Sequence, residues 1–188
     1  EASEIPLDLR AFNAWSMASI PQGQDLLFPE ARFNSNLVSG FNRAKLCWYV
    51  IDPLFLRNGS STPEHIKQNP DEQSSHYVRE VYEDEIFPYR ESPSGIPANI
   101  AVLNLGYYPG EKGSSNYDAD PGTYSAGMSS LGELNDPKTR WGGIMREILT
   151  SDFEAANIQY IKFWLMDPFV EDPENKGGDL YFNLGQIS

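Results

Sequence analysis

Two groups of carboxylates are the first residues in this sequence whose type and spacing could do chemistry. Glu111, Asp118, Asp120, Glu133 and Asp136 lie in one glycine-rich stretch, and Glu171, Asp172, Glu174 and Asp179 lie in another. Loop carboxylates suit calcium, which takes about six to eight oxygen ligands. Neither group has an EF-hand pattern and the spacing is irregular, so a solvated acidic face is the better reading, with structural calcium as the alternative. His65 and His76 stand eleven residues apart, each in or beside a predicted helix. That is no metal-ligand spacing, and both read as surface groups. Glu83, Asp84 and Glu85 are consecutive, so they spread around a helix, whereas a glycosidase acid pair must converge across a cleft. No G-x-S-x-G, P-loop or dinucleotide fingerprint occurs. The single Cys47 can form no internal disulfide, and within L-C-W-Y-V it reads as a small core residue rather than a nucleophile. No catalytic residue and no cofactor are therefore expected. Aromatic residues remain: Tyr107, Tyr108, Tyr117, Tyr124 and Trp141, joined by Trp15, could make a platform for a partner or a sugar. The simpler reading of the same rings is core and loop anchors.

The elements that must position these residues read mostly as strands. The 188 residues suffice for one domain with a core, 40% apolar and 13% aromatic content excludes overall disorder, and 15 Gly with 14 Pro imply many turns. A net charge of −13 and a pI near 4.4 repel nucleic acid and anionic lipid, so neither is an expected partner. No run approaches the ~18 apolar residues of a membrane helix. The chain opens on Glu1-Ala2-Ser3 and stops at Gln186-Ile187-Ser188, close behind a predicted strand, which suggests a fragment of a larger protein.

The last stretch, from Asp152 onward, looks like the organising one. Ile158 to Met166 is β-branched, aromatic and aliphatic on both faces, which predicts a central strand ending at Asp167-Pro168. Leu180, Phe182 and Leu184 alternate with Asp179, Tyr181 and Asn183, which predicts a second strand pairing with the first. Earlier strands are predicted at Glu1 to Arg10, Trp15 to Ser19, Asn42 to Ile51, Asn99 to Tyr107 and Arg140 to Leu149. Gly142-Gly143 suggests a bulge or a close backbone approach. Asp52-Pro53 and Asp167-Pro168, each followed by a Phe, read as related strand exits. A helical insertion over about 62–87 starts with Thr62 as N-cap and Pro63 at the first helical position, breaks at Asn69-Pro70 and resumes from Ser75 to Glu85. The long loop over about 108–137 is rich in Gly, Ser, Tyr, Asn and Asp, and such a loop inside a compact domain is usually functional or contacts a neighbour.

These elements predict a mainly β fold: one antiparallel β-sandwich over residues 1–188, of jelly-roll type, with the helical insertion. W-G-G-I-M-R-E-I, I-Q-Y-I-K-F-W-L and G-G-D-L-Y-F-N-L-G look like the galactose-binding-type sandwich of many carbohydrate-binding modules, a likeness of fold that does not carry function. Longer motifs carry a closer resemblance. N-R-A-K-L-C-W-Y-V-I-D-P-L-F (Asn42 to Phe55), H-Y-V-R-E-V-Y-E-D-E-I-F-P (His76 to Pro88) and V-L-N-L-G-Y-Y-P-G-E-K-G-S-S-N-Y-D (Val102 to Asp118) resemble the SprA/Sov family. So do R-W-G-G-I-M-R (Arg140 to Arg146) and D-F-E-A-A-N-I-Q-Y-I-K-F-W-L-M-D-P-F (Asp152 to Phe169). That family comprises the very large outer-membrane translocons of the type IX secretion system of Bacteroidetes, also needed for gliding motility. The resemblance implies one soluble domain of such a translocon. Its partners would be other parts of the translocon, its partner subunits and secreted cargo proteins, and the domain itself would not insert in the membrane. It implies no catalysis. The extracellular face is favoured over the periplasmic one, because large barrel loops are extracellular and periplasmic turns are short. The alternative of a different class is a jelly-roll carbohydrate-binding module.

Overall fold

The computed structural model describes residues 7–90, 95, 98–150 and 152–185. In chain order the strands and helices are β1 (Ser16–Met17), β2 (Ala44–Tyr49), α1 (Pro53–Leu56), α2 (Glu64–Lys67), α3 (Pro70–Ser74), β3 (Val81–Tyr82), α4 (Glu83–Ile86), β4 (Asn99–Ile100), β5 (Asn104–Lys112) and β6 (Ile144–Met145). Short 3-10 turns occupy Phe12–Ala14, Pro29–Phe33, Leu37–Gly40 and Pro137–Thr139. The sheets formed by these strands each have two members: β1 with β6, β2 with β5 and β3 with β4. The mainly β character is thus present as short strands in small sheets, with short helices between them. The chain divides into two compact units, one of Glu1–Phe12, Tyr49–Asn104 and Gln159–Asp179, the other of Asn13–Trp48, Leu105–Ile158 and Leu180–Ser188.

The second unit holds the small apolar core. Ile20, Phe28 and Ala31 are buried together and the half-buried Trp141 packs on them, its ring meeting Phe28 edge-on at 5.6 Å. β2 follows the expected alternation: Ala44, Leu46 and Trp48 are more covered than Cys47 and Tyr49. Cys47 is consequently exposed, which corrects its reading as a core residue. Period two sends neighbours to opposite faces, and the Ala44 face is the one that is buried. β1 pairs antiparallel with β6, Ser16 opposite Met145 and Met17 opposite Ile144. The glycines at 142 and 143 allow the close approach expected of them. A Cβ on Gly142 would lie 3.1 Å from Leu46 Cβ and 3.2 Å from the Tyr107 ring, and one on Gly143 would lie 3.1 Å from Ala18 Cβ.

In the first unit β3 pairs antiparallel with β4, Val81 opposite Ile100. This sheet replaces part of the helix predicted from Ser75 to Glu85, because buried, β-branched Val81 enters a ladder instead. Asn69-Pro70 does end α2, and it also starts α3: Asn69 Oδ1 caps the N–H of Glu72, and Pro70 occupies the first helical position. Thr62 does not cap α2. Its buried hydroxyl accepts from Gly59 N at 3.0 Å and lies within reach of the carbonyls of Leu54 and Arg57, so it staples the preceding loop. The two Asp-Pro turns share a local cap, but only Asp52-Pro53 follows a strand, so the reading of Asp167-Pro168 as a strand exit is corrected. Asp52 Oδ1 accepts from Leu54 N and Asp167 Oδ1 accepts from Phe169 N, both at 2.9 Å.

Three strand expectations fare differently. Of Glu1 to Arg10, the first six residues lie outside the described ones, and Leu9 and Arg10 form a turn. Neither the Ile158 to Met166 run nor the one around Leu180 to Leu184 is a strand, and both are exposed rather than covered: Trp164 is 69% and Phe182 56% accessible. Alternation and β-branching record a propensity for pairing, whereas a strand exists only where a neighbour completes its ladder.

Candidate functional site

The long loop is built around Arg140, whose side chain is fully buried with that of Asp118. Few aliphatic residues are available between 108 and 137, so the loop is closed by polar groups. Arg140 Nε donates to Asn135 O at 2.9 Å, and Nη2 donates to Asn135 O and Gly127 O at 2.8 and 3.0 Å. Nη1 reaches Phe41 O at 2.9 Å, and Asp118 Oδ2 and Ser125 Oγ at 3.2 Å. One planar guanidinium thus gathers backbone from the Phe41 turn and both arms of the loop, a task that suits its rigid fork of donors.

Side-chain amides extend the network. Asn116 Nδ2 donates to Phe41 O and Arg43 O, and Asn116 Oδ1 accepts from Asp118 N. Asn42 Nδ2 donates to Tyr124 O at 2.7 Å, and Asn135 Nδ2 to Ala126 O at 3.0 Å. Ser125 donates to Asp118 and accepts from Gly127 N. Its oxygen is therefore committed on every side and buried, the opposite of a presented nucleophile. At the turn, Gly127 has φ +69°, and a Cβ there would lie 2.5 Å from Pro121 N; only glycine fits this left-handed, crowded position. A bridge between Met128 and Leu134 closes the tip.

The six aromatic residues singled out from the sequence take different places, Trp15 lying under the Arg146 guanidinium at 5.3 Å. Trp141 is engaged on several sides: Phe28 at its edge, Arg43 over its face at 4.9 Å, and the indole N–H donating to Glu30 Oε1 at 3.3 Å. Glu30 itself is fully buried. Tyr124 packs edge-on against Phe33 at 4.9 Å. Tyr107 donates its hydroxyl to Arg140 O at 2.6 Å, and its partial burial pushes its pKa up. Tyr108 lies under the Lys45 ammonium at 4.9 Å, and that ammonium pairs with Glu111 at 2.6 Å. Tyr117 is open to solvent, at 64%.

The acidic groups are dispersed. Asp118 serves Arg140, Glu111 serves Lys45, and among the described residues no three His, Cys, Asp or Glu side chains are grouped to hold a metal ion. His76 is half-buried, its Nε2 3.1 Å from Asp167 O, while His65 is exposed. The sequence reading missed Arg140, Asn116, Ser125 and Asn135. A signal was present: a loop poor in aliphatics and rich in Asn, Ser and Asp needs a polar centre, and Arg140 follows it directly. No protein-family model matches the chain, and no curated protein matches it. Among the described residues no helix is long and apolar enough to cross a membrane.

Proposed function

We propose that this chain is a non-catalytic structural and interaction domain of a type IX secretion translocon of the SprA/Sov kind, serving protein export and gliding motility. The ordered motifs from Asn42 to Phe169 support the kinship. The observation that carries the role is the loop that follows β5, residues 113–136, the strand having taken the first residues of the loop expected from 108. Its backbone is held from within by Arg140, while Tyr117 and Leu131, 64% and 86% accessible, are left facing outward. A rigid excursion with exposed apolar side chains loses little entropy on contact, which suits docking to a neighbouring part of the translocon, a partner subunit or cargo. In this reading the short strand pairs belong to a jelly-roll sandwich at the extracellular face of the outer membrane.

The test leaves the Arg140 centre intact. Tyr117→Ala and Leu131→Asp in the full translocon should reduce export and gliding while circular dichroism of the domain stays unchanged. Normal secretion by both variants would refute the role. Saturable glycan binding by the isolated domain, lost in Tyr117→Ala, would replace it with the carbohydrate-binding alternative.

A further inference from the structure

We propose that the Asp136–Pro137 peptide bond is a self-cleaving site, at which the Asp136 carboxylate cuts its own chain with water as the only co-reactant. The sequence holds five Asp-Pro bonds, at 52–53, 120–121, 136–137, 167–168 and 172–173, and the fold treats one of them differently. Among the described residues Asp136 is the one aspartate of these five at positive φ, +48° with ψ 70°. That region is sparsely allowed for a residue with a Cβ, and a following proline ring restricts it further. The carboxylate is also left available. Asp52 and Asp167 each accept an N–H from two residues on, and Asp172 accepts from Asn175 Nδ2 at 3.2 Å, whereas the Asp136 side chain does not cap the turn that follows it. Its carbonyl oxygen, in contrast, is held twice by Thr139, by the N–H at 3.1 Å and by Oγ1 at 2.9 Å. Asp136 is exposed, so water reaches the bond.

These features act on one step. A carboxylate oxygen of Asp136 attacks the carbon of its own main-chain carbonyl and closes a five-membered ring. Negative charge develops on the carbonyl oxygen, where the two Thr139 donors already lie. The C–N bond to Pro137 then breaks, its electron pair stays on the proline nitrogen, and that nitrogen takes a proton from solvent. The ring is a cyclic anhydride, which one water opens to a side-chain and a main-chain carboxylate. One water is consumed for each bond cut, and nothing is oxidised or reduced. Proline leaves without giving up a backbone hydrogen bond, since it has no N–H, and the cut releases the strained backbone at Asp136. The two pieces stay together. Arg140 lies on the C-terminal side of the bond and is held by Phe41 O, Gly127 O, Asn135 O and Asp118 on the N-terminal side. The product is therefore a nicked loop, with a new carboxylate at 136 and a proline amine at 137. Nothing in this chemistry depends on the secretion reading.

The 188-residue protein can be incubated in mildly acidic buffer, with its fold followed by circular dichroism and the cuts read by mass spectrometry of denatured samples. Cutting at 136–137 should exceed that at 52–53, 167–168 and 172–173 by about tenfold or more. The preference should disappear in guanidinium, where the bonds lose their folded geometry. Asp136→Asn, which keeps a residue tolerant of positive φ but removes the attacking carboxylate, should slow the cut by about tenfold or more. Thr139→Val should slow it by about threefold or more, and Thr139→Ser should restore the rate. Native mass spectrometry should show the two pieces together until guanidinium is added. Equal rates at the Asp-Pro bonds of the folded protein, a faster cut at 136–137 in guanidinium, or an Asp136→Asn variant cut at the parent rate would overturn the inference. So would a rate constant that rises with protein concentration, since a cut within one chain is first order. Separation of the pieces without denaturant would overturn the held nick.

Discussion

Arg140→Met removes the charge and the donors at the centre of the long loop while keeping most of the volume. The side chains of Arg140 and Asp118 are 0% and 1% accessible, so the substitution leaves a carboxylate buried without its partner. Breaking a buried pair in this way costs about 3–5 kcal/mol. The carbonyls of Phe41, Gly127 and Asn135 lose their donor as well, each worth about 1 kcal/mol and not additive. A total near 5 kcal/mol is comparable with the whole stability of a small domain, ~5–15 kcal/mol. The assay is urea unfolding followed by tryptophan fluorescence, to which Trp141, the next residue in the chain, contributes as one of four indoles. Asp118→Asn in the Arg140→Met background removes the stranded charge and should recover about 2–3 kcal/mol. Ser125→Ala, a milder change at the same centre, should cost about 1 kcal/mol. The reasoning fails if Arg140→Met costs less than about 1 kcal/mol, or if the Arg140/Asp118 double-mutant cycle closes with no coupling beyond about 0.5 kcal/mol.

Other perturbations test separate parts of the structure. Gly127→Ala places a Cβ at φ +69° against Pro121 and Asp120, and calorimetry should show Tm lowered by on the order of 10 °C. In α4, hydrogen bonds from Arg79 and from the Tyr82 N–H hold the Glu85 carboxyl down from 4.5 to about 2. A depressed folded-state pKa stabilises above the unfolded value, so this support is complete above pH 4.5 and is lost as pH falls toward 2. The pair is more than a third exposed, so the effect should stay below about 1 kcal/mol. It should vanish in Glu85→Gln, read as the pH dependence of amide exchange in 82–87. Tyr107→Phe deletes the bond to Arg140 O and should cost about 1 kcal/mol in urea unfolding, with the fold retained.

Local chemistry was legible in the sequence. The strand exit at Asp52-Pro53, the alternation in β2 and the close approach at Gly142-Gly143 depend on residues a few positions apart or on period two alone, and each took its expected form. The same logic also contained the exposure of Cys47, since it alternates with Leu46 and Trp48. Asn69-Pro70 shows how far a local signal reaches. It ends one helix and starts the next, but that Val81 then leaves helix for strand was decided by Ile100, its ladder partner.

The sequence by itself determined where the chain turns, which runs favour extended backbone, and a net charge of −13. Tertiary structure alone decided what each side chain does. The partners of Arg140 are as far away as Phe41, 99 residues earlier, and no periodicity encodes a distance of that kind. Trp141 and Tyr117 are both aromatic residues in or beside the same loop, yet one packs on Phe28 and Glu30 while the other faces solvent. Burial is a property of what the rest of the chain brings to a residue. For that reason the run from Tyr160 to Leu165 has the pattern of a central strand and stands exposed: its propensity lies in its own residues, whereas its burial depends on the rest of the chain.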